Sequence, residues 1–409
     1  MTESFVHRSA PNRTVFGEGA LAGLGDELRS LGIRRPVLVA GRRTARSAFG
    51  ERVRQALDGF DCAGFADAPA HSSVTAVGEA AALARRHRAD AFVAVGGGSA
   101  SDTAKAAALW LAEGGELASH ASRFTAPSTL VMPALAAPKL PIVAVPGTAS
   151  GAEVTPSLGI RADSGEKLLF WDLQLAARLI VIDPQASACV PAAVLLASGM
   201  NGLAHCVEGL YSPTRTPVST ALALHGVRLF ARALPQLARE PDSVQARGQV
   251  LAAGHVGGLV LVNARTCLHH AICHALGAAT GVSHGEANAV VLPHAMAFNA
   301  PAAADALAEM ARAWPAACDG IGAAAADDVP GRADPAGPRA APDGAGRAVA
   351  LVRALQRDIG APTRLRELGV DRAALAPVAR KVMTERGVYF NPRPVQGAAE
   401  IAALLEAAW

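Results

Sequence analysis

Four short aliphatic runs separated by helical stretches constrain this chain more than any other feature. They are Pro36-Val37-Leu38-Val39-Ala40, Ala91-Phe92-Val93-Ala94-Val95, Pro141-Ile142-Val143-Ala144-Val145-Pro146 and Leu179-Ile180-Val181-Ile182-Asp183-Pro184. None alternates apolar with polar positions, so each predicts a strand covered on both faces, the condition of a parallel sheet between helical layers. Helical patterns at residues 53–57, 79–88 and 102–111 fall between the runs. Residues 1–184 therefore predict a doubly wound α/β domain.

After Pro184 the pattern changes. Leu195-Leu196, Met200, Leu203-Ala204, Val207 and Leu210 recur at helical spacing, and no convincing strand follows. Residues 185–409 predict an all-helical domain. Its one interruption is 319–346, rich in Ala and Gly and carrying Pro330, Pro335, Pro338 and Pro342, which reads as a mobile surface loop.

Composition removes several function classes. With 38 basic against 35 acidic residues the chain lacks the field that holds nucleic acid or an anionic membrane. Aromatic residues make up only 4%, too few for stacking platforms. No apolar stretch is long enough for a membrane span, and the polar N-terminus has no signal-peptide core. Six scattered cysteines without CxxC spacing fit reduced thiols and a cytoplasmic setting.

The second strand opens into Gly96-Gly97-Gly98-Ser99-Ala100-Ser101-Asp102-Thr103-Ala104-Lys105 and a helix. Glycines there bring backbone N–H groups close to an anion, and the helix start adds its positive dipole end. The sequence favours a pyrophosphate site over a bare turn, with Gly97, Gly98, Ser99 and Asp102 as cofactor contacts. At the end of the first strand, Gly41-Arg42-Arg43 stands where an acid would grip the ribose and repel a 2′-phosphate. Gly41 and Arg42 read either as tolerance of NADPH beside NADH or as a turn with solvated arginines.

Five of the twelve histidines lie between His269 and His294. His270 and His274 share a helical face, His284-Gly285 follows a break at Gly277 and Gly281, and Asn201 and His205 are again four apart. His205, His270 and His284 offer three imidazoles to a divalent metal. His7, His87, His225, His269 and His294 lack this spacing and read as ordinary structural residues.

Together these segments resemble the iron-containing (group III) alcohol dehydrogenase family, over nearly the whole chain outside 319–346. Gly96-Gly97-Gly98-Ser99 with Asp102 and Lys105 is similar to its Gly-Gly-Gly-Ser-x-x-Asp-x-x-Lys. Ser198-Gly199-Met200 with His205 is similar to its Ser-Gly-x-Asp-x-x-x-His, and His270, His274 and His284 to its histidine series. The resemblance implies the dehydroquinate synthase-like fold, an NADH- or NADPH-dependent oxidoreductase and a homodimer. It places His205, His270 and His284 on the metal and His274 near the nicotinamide. Asn201 stands where the family has its metal-binding aspartate. That departure, with Pro11–Gly17, Pro146–Glu153, Cys267–Gly277 and Asn391–Val395, resembles the maleylacetate reductase branch. Asp102 is shared with the alcohol dehydrogenases, whereas Gly147, Ala152, Gly285 and Glu286 differ from a typical member of that branch.

An amide is a poorer hard-cation ligand than a carboxylate and removes one compensating charge. Reduction of a conjugated C=C bond spreads charge into an enolate, which imidazole and amide donors can hold without a metal. The sequence therefore predicts no obligatory metal. Asn201, His205, His270, His274 and His284 are the catalytic group, and Thr148 and Ser150 lie on a second loop at the nicotinamide end. The implied substrate is a small anionic keto acid, maleylacetate, reduced to 3-oxoadipate in aromatic degradation. The alternatives are an iron- or zinc-dependent alcohol dehydrogenase, and a non-catalytic binder of a dinucleotide or anion.

Overall fold

The computed structural model describes residues 4–163, 165–315 and 344–409. Most of the 319–346 segment lies outside these residues. Its last three, 344–346, open the helix Gly344–Asp358, three residues before the pattern in the sequence suggests.

The chain divides into two compact units. One comprises residues 8–195 and 242–262 and is α/β. Its strands are β1 (Arg13–Phe16), β2 (Pro36–Ala40), β3 (Ala63–Phe65), β4 (Ala91–Gly96), β5 (Arg123–Thr125), β6 (Thr129–Val131), β7 (Ile142–Pro146), β8 (Ser157–Arg161), β9 (Lys167–Trp171) and β10 (Leu179–Ile182). Six form a parallel sheet in the order β1-β10-β7-β4-β2-β3. The four runs read from the sequence are its central strands β2, β4, β7 and β10, buried almost throughout. The edges β1 and β3 carry no such run; β1 is largely exposed and β3 has three residues. Two antiparallel pairs, β5-β6 and β8-β9, lie outside the sheet.

The helices of this part are α1 (Leu24–Ser30), α2 (Arg42–Ala45), α3 (Ala48–Ala56), α4 (Val74–His87) and α5 (Gly98–Glu113). Leu24, Leu28, Phe49 and Val53 pack with Leu38, Val93, Val143 and Val181 in one core layer. A fully buried Leu or Phe in such a layer contributes roughly 1.5–3 kcal/mol.

The second unit comprises residues 1–7, 196–241 and 263–409 and is helical. After the strands come α6 (Ala192–Tyr211), α7 (Pro217–Arg239), α8 (Val244–Leu261), α9 (Leu268–Thr280), α10 (His284–Asn299) and α11 (Ala304–Ala313). The helices Gly344–Asp358, Leu375–Val382, Arg386–Tyr389 and Ala398–Ala408 complete the chain. Its core joins Ile272, Leu276, Val290 and Val291 to Val378, Val382, Ile401 and Leu405. The helix α8, which the sequence assigns to the helical half, belongs instead with the α/β unit. No helix among the described residues is long and apolar enough to cross a membrane.

Candidate active site

In the α/β unit, β4 ends at Gly96 with φ +118°, a backbone state that a side chain rarely adopts. Gly97 then caps α5 without any side-chain hydrogen bond, and the first turn carries no acidic residue. The Ala100 and Ser101 N–H groups donate to the Gly97 carbonyl, which leaves those of Gly98 and Ser99 for an anion, with the dipole favouring negative charge. A Cβ on Gly97 would come 3.3 Å from Thr148 Cγ2, and one on Gly98 would come 3.8 Å from Ser150 Oγ. The fold thus brings Gly97, Gly98, Thr148 and Ser150 together, with Ser99 in the first turn of α5. This bare, glycine-lined helix start fits the pyrophosphate of a dinucleotide.

Lys105 holds the second loop in place. Its ammonium, wholly buried, donates to the carbonyl oxygens of Ala152 at 2.5 Å and Thr155 at 2.7 Å, and burial pushes it down to about 8. Asp102 turns to the β8 strand, where its carboxylate accepts from the Gly159 N–H at 3.3 Å. Burial raises its pKa, opposed by Lys105. Gly41 caps α2, and Arg42 pairs with Asp67, an acid just beyond β3 that the sequence reading passed over.

In the helical unit, α9 runs through Gly277 and stops only at Gly281, whose left-handed φ of 74° ends the helix. Ser283 then accepts from the Glu286 N–H and starts α10 at His284. This turn brings His284 back to the α9 histidines, with ring centroids 5.8 Å from His270 and 5.5 Å from His274. His270 and His274 are 6.2 Å apart. From α6, His205 stacks on His270 at 4.8 Å, and the Asn201 amide lies 3.2 Å from His270 Nε2. All five candidate residues form one buried or half-buried cluster.

Glu208 completes this cluster and was not singled out from the sequence. It is fully buried, and its Oε2 accepts from His270 Nδ1 at 2.5 Å while Oε1 accepts from the His269 N–H at 2.9 Å. The spacing Asn201, His205, Glu208 repeats every four or three residues on one helical face, a signal present in the sequence. Burial pushes the Glu208 carboxyl up, opposed by His269 and backbone N–H groups. Burial, then the charge of His270, holds His205 well below the ordinary histidine value. His269 is a buried structural residue whose Nε2–H donates to the Asn288 carbonyl at 3.1 Å; burial lowers it to about 4.

These hydrogen bonds fix a tautomer. With its Nδ1–H on Glu208, neutral His270 presents a lone pair on Nε2 to residue 201. An asparagine turned by half a revolution donates N–H to that lone pair; an ionised aspartate only accepts. His205, His270 and His284 still fit a divalent metal as neutral nitrogen donors, and His205 Nδ1 is buried without a hydrogen-bond partner among the described residues. Behind His270 stands Glu208, both of whose oxygens are already engaged. Glu208, His269 and His270 each bring a donor atom within 4.8 Å of the others.

Beside His274, Glu385 Oε2 approaches Nδ1 at 3.7 Å, with Arg386 next in the chain. No local pattern in the sequence marks Glu385, because it reaches the cluster through tertiary packing.

Comparison with known proteins agrees with this arrangement. The family model for iron-containing alcohol dehydrogenase matches residues 11–184, and that for the C-terminal part of the Fe-containing alcohol dehydrogenase family matches residues 195–409. The maleylacetate reductase of Pseudomonas sp. strain P51 is 32% identical over 407 residues, covering 99% of this chain and 98% of that protein. The NAD-dependent methanol dehydrogenase of Bacillus methanolicus is 27% identical over 407 residues, 98% of this chain and 99% of that protein. The crystal structure of maleylacetate reductase from Agrobacterium tumefaciens aligns with a TM-score of 0.78 at 28% identity, covering 100% of this chain and 99% of that one. The glycine turn, the histidine cluster and these matches over the full length agree: the chain belongs to the iron-containing alcohol dehydrogenase family of oxidoreductases.

Proposed function

We propose that this protein is a maleylacetate reductase-like enzyme, using NADH or NADPH to reduce the C=C bond of maleylacetate or a related unsaturated keto acid to the 3-oxoadipate type of product. The observation that carries the reading is the Asn201 amide against His270 Nε2, where the family resemblance calls for a metal-binding carboxylate. A dihydronicotinamide, when bound, would supply the hydride that reaches the carbon β to the ketone. The electron pair moves through the double bond onto the ketone oxygen, and a proton reaches the α carbon. The chain's own groups meet each demand. The Gly97–Ser99 turn, with Thr148 and Ser150, holds the hydride donor. Asn201 and the imidazoles of His205 and His284 donate hydrogen bonds to the enolate oxygen. His274, backed by Glu385, holds the proton to be delivered.

A second reading is favoured by the three imidazoles themselves and the orphaned His205 Nδ1. His205, His270 and His284 would hold a divalent metal, which when bound supplies Lewis-acid polarisation of a carbonyl. Assay of maleylacetate and of small alcohols, with both cofactors and with and without chelator, separates the two. Chelator-resistant reduction of maleylacetate by protein lacking stoichiometric iron or zinc is the expected result. Near-stoichiometric metal with chelator-sensitive alcohol oxidation would reject it.

A further inference from the structure

Arg265, Glu385 and Arg386 lie close enough to act on one another, and Glu385 meets the histidine cluster. The short helix Arg386–Tyr389 is pressed against the start of α9: a Cβ on Gly387 would fall 2.5 Å from the Cys267 carbonyl oxygen and 3.2 Å from the Ala271 Cβ. That approach fixes what flanks it. On one side Glu385 meets His274. On the other, the Arg265 guanidinium stacks 4.4 Å over the Phe390 ring. Arg386 directly follows Glu385 in the chain, and Phe390, which Arg265 covers, lies one helical turn further on.

The half-buried Arg386 makes no hydrogen bond or ion pair within 4 Å to any described residue; the charges acting on it are Arg265 and Glu385. Glu385 is shared with His274. Burial first, then Arg265, holds the Arg386 guanidinium below its ordinary range. A planar guanidinium that is partly desolvated and lacks a dedicated counter-ion is matched by a bidentate carboxylate.

We propose that Arg386 and Arg265 form a carboxylate-binding site at the edge of the histidine cluster, taking one carboxylate of a dicarboxylic substrate and selecting it over neutral carbonyl compounds. The identity of that dicarboxylate rests on the proposed reduction; the site itself does not.

The test is calorimetric titration of the full-length protein with 3-oxoadipate and with its neutral dimethyl ester. The proteins are the wild type, Arg386→Ala, Arg386→Lys and Arg265→Ala, each checked for folding by circular dichroism. Loss of a charge-assisted bidentate contact is expected to weaken the diacid about ten- to hundredfold in both alanine variants. Lysine at 386 recovers part of the loss, and the ester is unaffected. Arg265 is exposed, so Arg265→Ala decides the matter should Arg386→Ala fail to fold. Wild-type affinity for the diacid in Arg265→Ala and Arg386→Lys, or equal affinity for diacid and ester, overturns the site. Diacid binding through these arginines without reduction of maleylacetate keeps the site and rejects the reaction. Reduction of maleylacetate with arginine-independent binding does the reverse.

Discussion

At 2.5 Å from His270 Nδ1, the Glu208 carboxylate decides which nitrogen of that ring carries the proton. Replacing it with an amide keeps the shape but sets an N–H donor against either the His269 N–H or the His270 Nδ1–H. Glu208→Gln is expected to lower kcat about 10- to 100-fold and to shift the pH profile, with partial recovery in Glu208→Asp. A kcat change without any movement of the pH profile would mark Glu208 as merely structural. Arg42 gives a second residue-scale prediction. Asp67 holds its guanidinium, so a 2′-phosphate has to compete with that carboxylate. Asp67→Asn is expected to raise kcat/KM with NADPH several-fold and leave NADH unchanged, as steady-state assays with both cofactors will show. Much of this was legible beforehand. Helical periodicity puts Asn201 with His205 and His270 with His274 on common faces, whereas His284 follows a break and enters only through a return of the chain and the family resemblance. Glu208 obeyed the same rule but carried no histidine to draw attention. Glu385, Arg386 and Asp67 obey no local rule, since packing of distant segments delivers them.

At the scale of elements, the second loop is seated on α8. A Cβ on Gly258 would fall 2.6 Å from the Gly151 carbonyl oxygen, and one on Gly254 2.5 Å from Ala149 Cα. The second loop and α8 therefore meet backbone to backbone. Gly258→Ala is expected to cost about 1–3 kcal/mol through overpacking and to lower Tm by several degrees in calorimetry. It should also weaken dinucleotide binding, because the loop bearing Thr148 and Ser150 shifts. An unchanged cofactor Kd would show that the loop's position does not matter to binding. The central strands β2, β4, β7 and β10 were readable because burial on both faces writes an uninterrupted apolar run. Strand β1 was not, because its residues are mostly exposed, and β5-β6 lacks such a run; β9 carries Leu168-Leu169-Phe170-Trp171, but outside the βα alternation that marks the parallel strands.

At the scale of the whole molecule, buried neutral histidines set the response to acid. His269 and His294 are held at about 4, each chiefly by burial, and His205 is well below its ordinary value. The unfolded chain takes up protons near 6.5 and the folded chain does not, so stability falls as pH drops from about 6.5 toward 4. For His294 the second cause is repulsion from Arg353 and Arg364. His294→Gln is expected to flatten that decline by up to about 3 kcal/mol in denaturant titrations across this range. An unaltered slope would mean that His294 protonates as readily folded as unfolded. The charge total of +3 gave no hint of this, because neutral histidines do not enter it.

The α/β unit is completed by a helix encoded after α7, beyond the first segment of the helical unit. During synthesis the six strands leave the ribosome first, yet the glycine contacts between α8 and the second loop wait until residue 262 has been added. A chain halted after β10 has every strand of the sheet but lacks the helix that packs on the second loop. The gene therefore imposes an order of events: the strands can pair early, whereas the proposed dinucleotide site is complete only after about two-thirds of the chain has been made.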